Sequence, residues 1–283
     1  MHRVFGASYL IQVATAARAY NAGITPATTT SNANVAAADS LLALAQIGAA
    51  RTSLDLGKNT EAATYASAVA NNAALPGNWG FPVYHSANSA RETNPFFAAA
   101  SGGQAAEFVG ITNTRYENVS GDPRIPHPTT RERTMQGDAF VPNSPLMFST
   151  YNGTAVGADF TRNASINFAS KLEAQYIVAE VQGATPANVT FVNSRRAIGG
   201  DVPLVGPTEA EYQAALREQR ARDFYLAGYR MGDLRRYKRF DNVDLWEHGT
   251  YRSPVPAPPT FGDQECWPIP QAEYTGNPNL PRP

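Results

Sequence analysis

A stretch of small and apolar residues at helical spacing, from Asn34 to Ala70, limits what this chain can become more than any other feature. Leu41, Leu42, Leu44, Ala45, Ile47, Leu54 and Leu56 recur at the 3.6-residue period, so the segment is predicted to be helical with one face to bury. Leu56-Gly57-Lys58-Asn59 then supplies a glycine stop, and Asn59 or Thr60 is expected to cap a second helix. In that helix Ala62, Ala63, Ala66 and Val69 form a small-residue face. Small contact residues let two helix axes approach closely, which makes residues 34–72 either a TPR-like unit of a solenoid or an ordinary helical hairpin.

A second pair of helices is expected over Asn167–Ile198. Leu172, Tyr176, Ile177 and Ala179 line the first, Gly183 ends it, Pro186 sits where a first-turn proline is tolerated, and Val189, Val192 and Ala197 continue the next. Thr208 to Phe240 is a third helical region and the most charged, with Thr208 and Glu211 spaced for a capping box and Gly228 placed to break it in two. The fold class that follows is mainly α: TPR-like helical hairpins with a loop-rich insertion at 75–165, an extended Pro-rich strap at 241–283 and one domain over 1–283. The insertion is rich in Gly, Pro, Asn and Ser, with room for a few short strands. The strap is extended because each proline forces its predecessor out of the helical region.

Composition removes several function classes. With 283 residues and a net charge of -1, the chain has no general attraction for nucleic acid or anionic lipid. A lone cysteine, Cys266, excludes an intramolecular disulfide framework and a multi-cysteine zinc site, and is expected to be a small buried hydrophobe. His2, His85, His127 and His248 are far apart without metal-binding spacing, and no nucleophile elbow, Walker loop or dinucleotide fingerprint occurs. Neither a metal nor a cofactor is expected. The apolar amino-terminal stretch is short and interrupted by Ser8 and Gln12, so it is not read as a signal peptide. No uninterrupted run of 18 apolar residues exists, and no membrane-crossing helix is expected. Asn118, Asn152, Asn163 and Asn188 fit the glycosylation acceptor pattern, which is commonly coincidental.

Three blocks, in order, resemble the SusD/RagB family. The first is Lys171-Leu-Glu-Ala-Gln-Tyr-Ile-Val-Ala-Glu180 with the following Val192-Asn-Ser-Arg195-Arg196-Ala197. The second is Gln219-Arg220-Ala-Arg222-Asp223-Phe-Tyr-Leu-Ala227-Gly228-Tyr-Arg230-Met-Gly-Asp233-Leu-Arg235-Arg236, which departs from the family pattern at Gln219 and Ala227, where glutamate is usual. The third is Trp267-Pro-Ile-Pro270 to Asn277-Pro-Asn-Leu280. Ser120-Gly-Asp122-Pro-Arg124 is similar to the family's Asp-x-Arg turn. The resemblance implies a non-catalytic nutrient binder at a bacterial outer-membrane surface, acting with a SusC-like TonB-dependent transporter on an oligosaccharide or peptide. The family is usually longer, so its lipoprotein signal, lipidated cysteine and first helical hairpins are expected to have no counterpart here.

The residues of the second block also make sense physically. Arg220 and Asp223 are near one another on a helical surface, Gly228 lets the chain turn, and Arg230 with Asp233 can pair at i,i+3. Arg220, Asp223, Gly228, Arg230, Asp233 and, in the tail, Pro270 are therefore expected to be structural, with anion recognition as the alternative for the arginines. For ligand contact the best candidate is the aromatic loop that starts at Asn78, with Trp79, Phe81, Tyr84, Asn88 and Arg91, because sugars stack on aromatic faces while their hydroxyls need polar rims. Equally, Trp79 and Phe81 could fill the gap between hairpin and insertion. Tyr116, Tyr151 and Trp246 are second-rank candidates. Besides the binder, a self-associating surface scaffold is a competing expectation, and a hydrolase ranks last.

Overall fold

The computed structural model describes residues 2–86, 92–94, 114–116, 119, 121–125, 163–249, 260–263 and 265. It is mainly helical. Helix α1 spans His2–Ala22, α2 Thr29–Asp55 and α3 Asn59–Ala70. Strand β1 (Gly80–Val83) and strand β2 (Ile166–Ser170) follow, then α4 (Lys171–Gln182), α5 (Pro186–Ile198), α6 (Glu209–Asp223) and α7 (Arg230–Arg236). A π-helical turn, Tyr237–Asp241, extends α7 and ends at Asn242, a left-handed residue.

Local chemistry accounts for most of the boundaries. Thr28 and Ser31 bond reciprocally as a capping box ahead of α2. Past its end, the amides of Gly57 and Lys58 return to the carbonyls of Leu54 and Ser53, a Schellman stop that needs the positive φ of Gly57. A side chain on Gly57 would also meet the ring of Phe240 at 3.0 Å. Ser170, Thr185 and Thr208 cap α4, α5 and α6 through side-chain oxygens, the last with the expected Glu211 partner. Gly183 ends α4 and Gly228 stands between α6 and α7, both at positive φ as their sequence positions suggested. Helix α3 differs: its cap is Lys58, which makes no side-chain cap bond, and Asn59 and Thr60 lie inside the first turn.

Helix α1 was not foreseen. Its helicity comes from alanines of high intrinsic propensity, since Tyr9, Leu10, Val13 and Tyr20 remain largely exposed. It packs along α2, tied by Arg18 Nε to Asp39 Oδ1 at 2.6 Å. Helix α2 is long and apolar enough to cross a membrane by length and composition, with a window of mean hydropathy 1.3, although no 18-residue run is uninterrupted. Here it forms the spine of a core, flanked by α1 and α3 and touched by α4.

Two hydrophobic clusters share α4. On one side Ala174 and Ile177 join Ile47, Leu54, Ala62, Ala66 and Val69 of α2 and α3. On the other, Tyr176 and Ala179 join Val192 of α5, Tyr212 and Leu216 of α6, and Phe224 beyond it. The i, i+3 offset of these two pairs turns opposite faces of one helix to two cores. A third small cluster sets Tyr116 and Ile125 against Ala221 and Tyr225.

The expected second hairpin therefore begins later than Asn167. Residues 166–170 form β2, antiparallel to β1 with Gly80 opposite Ser170 and Val83 opposite Ile166. Asn167 is consumed in that ribbon because its side chain overlies Gly80, where a Cβ would sit 2.5 Å from Asn167 Oδ1. Asn188 is also not a free acceptor for modification: it is buried in α5 and donates to the Gly183 carbonyl at 2.9 Å. The described part of the carboxy-terminal segment touches the helices, with Arg235 Nε donating to the Glu265 carbonyl at 2.5 Å and Lys238 paired to the Glu265 carboxylate. Pro270, Cys266 and Tyr151 lie outside the described residues, as do His127, Asn118 and Asn152.

Candidate functional site

A cleft of about 360 Å³ opens where the turn before β1, the start of β2 and the 222–229 segment meet. Its position follows from α4. Lys171, at the first turn, donates its ammonium to the carbonyls of Asn72 and Leu75 and its amide to the Trp79 carbonyl, which fixes the chain leading into the cleft. Asn78 and Trp79 then line one wall, Ser165 and Asn167 another, and Phe224, Tyr225, Leu226 and Tyr229 the wall opposite. Leu226 holds φ 58 and Gly228 φ 85. A non-glycine residue in the left-handed region costs on the order of 1 kcal/mol or more and is commonly kept where it serves a site.

Two ion-pair networks hold that wall. In the cleft wall, which Arg124, Arg222 and Asp223 also line, Asp223 accepts from Arg195 Nε and Nη2 at 2.7 and 2.6 Å, from Arg124 Nη1 at 3.0 Å and from the Tyr176 hydroxyl at 2.5 Å. Arg124 is held in turn by Asp122 and by Gln219 Oε1. Burial resists ionisation of Asp122, but its bonds from Arg124 and Arg222 hold its carboxyl below the usual value. Below the cleft, Asp233 accepts from Arg220 Nε at 2.8 Å and Arg236 Nη2 at 2.9 Å. Arg236 also grips both oxygens of Glu180 on α4 and reaches Asp55 on α2. Desolvation opposes the Asp233 charge, and the two guanidiniums outweigh it, so its pKa also falls. Arg51 of α2 forms a bidentate pair with the fully buried Glu173 and lies 4.7 Å over the Tyr229 ring.

These pairings correct the local ones expected from spacing. Arg220 does not meet Asp223, nor Arg230 Asp233: Arg230 reaches Glu247 at 2.5 Å instead. Spacing alone does not choose the partner: Arg220 is buried and turned toward Asp233 on the next helix, and Asp233 takes Arg236 at i,i+3 instead of Arg230. Arg220, Asp223, Arg230 and Asp233 each take part in an ion pair, and Gly228 holds positive φ between α6 and α7. Arg51, Glu173, Glu180 and Arg195 were not singled out as partners, because links separated by dozens of residues leave no spacing signal. A charged residue amid an apolar helical run, as Arg51 and Glu173 are, was the only available hint.

The aromatic loop is divided. Trp79 is 8% exposed, packs in the α2–α3–α4 core with Nε1 3.3 Å from Ser40 Oγ, and also lines the cleft. Phe81 is half-buried against the same core and does not line the cleft. Tyr84 is 81% exposed at the end of the ribbon, following Val83, whose register partner Ile166 does line it. Asn88 and Arg91 lie outside the described residues. Tyr116 is buried, with its hydroxyl donating to the Ala221 carbonyl. Asn78, at the start of the candidate loop, lines the cleft, whereas Asn167, Tyr225 and Tyr229 were missed from sequence as its walls. Among the described residues, no group of three or more His, Cys, Asp or Glu is placed to hold a metal ion.

The cleft thus offers aromatic and amide groups with its nearby charges neutralised in pairs, an arrangement suited to holding an uncharged polar molecule. Comparison with known proteins adds no name to it: no family model, no curated protein and no solved structure matches this chain.

Proposed function

We infer that the chain is a non-catalytic binder of an oligosaccharide or peptide nutrient, built on a SusD/RagB-like solenoid of TPR-like hairpins. It would work at a bacterial outer-membrane surface and hand its ligand to a SusC-like TonB-dependent transporter. The observation that carries this is the cleft itself. At about 360 Å³ it falls in the range of small-molecule sites. Its walls mix aromatic surface from Phe224, Tyr225 and Tyr229 with amides from Asn78 and Asn167. That composition matches a sugar ring's C–H face and hydroxyls. Of the acidic groups nearby, Asp223 and Asp122 are each bonded by two guanidiniums, which favours holding over acid–base chemistry. The resemblance of Lys171–Glu180 and Gln219–Arg236 to the family supplies the class of ligand and partner. Tyr84 at the ribbon end would extend the contact surface from the cleft, while Trp79 and Phe81 support it from the core side.

Because Trp79 borders the cleft, ligand entry should change its fluorescence. Titrating a panel of neutral oligosaccharides and short peptides is expected to give saturable quenching with at least one member, and Asn167→Ala is expected to weaken it. Silence across the panel would remove this reading.

A second reading, a self-associating surface scaffold, rests on one specific feature. Tyr9, Leu10, Val13 and Tyr20 of α1, with Leu41 of α2, leave apolar area outside the core. Sedimentation across a concentration series distinguishes it, since a scaffold assembles with no ligand present.

A further inference from the structure

Between α6 and α7 lies a small internal cavity, separate from the cleft and unused by the proposed binding. Arg115, Arg217, Arg220, Arg230 and Tyr237 line it, together with Asp233. Four polar atoms of these residues are buried without a hydrogen-bond partner: Arg115 Nε, Arg217 Nε, Arg220 Nη1 and Tyr237 Oη. All three nitrogens can only donate, and a phenol donates readily. Each guanidinium is paired with a carboxylate, Arg115 with Glu218, Arg217 with Asp241, Arg220 with Asp233 and Arg230 with Glu247, and of these carboxylates Asp233 also lines the cavity. The unused donors belong to residues that line a space shared by four guanidiniums and a single carboxylate, Asp233. Burial and then the charge of Arg230 depress the Arg115 pKa.

We propose that this cavity is a binding site for a single monatomic anion, a chloride ion, held by buried guanidinium N–H groups and the Tyr237 hydroxyl. Size sets the first limit. The room for a guest is about 10 Å³, close to that needed by one water-sized occupant, so phosphate, sulfate and carboxylates are too large. Hydrogen-bond bookkeeping sets the second. Water would direct two hydrogens into a wall whose side chains are mostly donors, where the Asp233 carboxylate already receives two guanidinium N–H groups. A halide accepts only, which matches a wall of donors. The guest would lock α7 to α6 at the root of the 224–229 wall.

The test uses the full chain. Thermal unfolding in sodium gluconate, with chloride substituted at fixed ionic strength, is expected to show a midpoint that rises and levels off, as ligand linkage requires. Crystals soaked in sodium bromide are expected to show an anomalous peak within hydrogen-bonding reach of Arg220 Nη1 and Tyr237 Oη. Tyr237→Phe keeps the ring and removes one donor, so half-saturation should move to about tenfold higher halide. Tyr212→Phe, which deletes a hydroxyl bonded to the Ala179 carbonyl elsewhere, should leave it unchanged. A cavity filled by water with no anomalous signal, or a midpoint indifferent to the anion, overturns the proposal even if Tyr237→Phe does not fold.

Discussion

The two faces of α4 look onto neighbourhoods built by opposite means. Toward α2 and α3 the contacts are alanines with Ile47, Leu54, Val69 and Ile177, and stability comes from area removed from water. Toward α6 and α7, tyrosines surround buried arginines whose carboxylates lie on other helices. Apolar contact is non-directional and tolerates small shifts, while a bidentate arginine pair fixes angle and distance together. The cleft stands where these regimes meet, with Trp79 contributed by the first and the 222–229 wall by the second. One side supplies cohesion and the other supplies registration of the wall.

The largest effect should come from breaking registration. Arg220→Ala leaves the buried Asp233 with Arg236 as its remaining partner and should cost about 3 kcal/mol in urea unfolding, the low end of the range for breaking a buried ion pair. Replacing both, Arg220→Met with Asp233→Leu, should recover much of that loss while loosening the cleft, which separates stability from geometry. If the single and double variants are equally unstable, the pair is packing rather than electrostatics. Next, Ile47→Ala on the apolar side should cost about 3 kcal/mol through the cavity it leaves.

Acid should discriminate the two sides. The pKa of Asp233 is depressed in the fold below its ordinary 3.8, so its stabilisation is present above that value and lost as pH falls through the folded one. Asp122 acts in the same direction. Unfolding free energy should therefore decline below about pH 3.8, and Asp233→Asn should flatten the slope. Ile47→Ala should lower the whole curve without altering its slope. The smallest effect is Tyr84→Ala, which should change stability by no more than about 0.5 kcal/mol because the ring is exposed, while weakening ligand binding if the contact surface extends that far.

Legibility in the sequence divides along the same line. The helices could be read where periodicity and caps are local: Leu44 to Leu54 and the Gly57 stop on the apolar side, and the Thr208–Glu211 box on the other, carry their reason within a few residues. Helix α1 escaped because its apolar residues do not form a buried stripe. The start of α4 was misplaced by four residues because Asn167 to Ser170 are equally compatible with strand pairing, and their partner, β1, lies more than 80 positions earlier. In the candidate site the block Arg220 to Asp233 was visible as important, but its partners were not. Arg236 reaches Glu180 and Asp55 across 56 and 181 residues, and no spacing rule reports such a meeting. Trp79 was noticed for its chemistry and then used mainly for packing, since an indole beside an alanine-rich face is the largest filler available.

Hydrogen exchange of the free protein and of its complex with whichever oligosaccharide or peptide quenches Trp79 tests the central claim most directly. Added protection concentrated in residues 165–170 and 222–229 is the predicted result. Protection confined to α1, or none in either segment despite saturation, would contradict a ligand seated between the two cores.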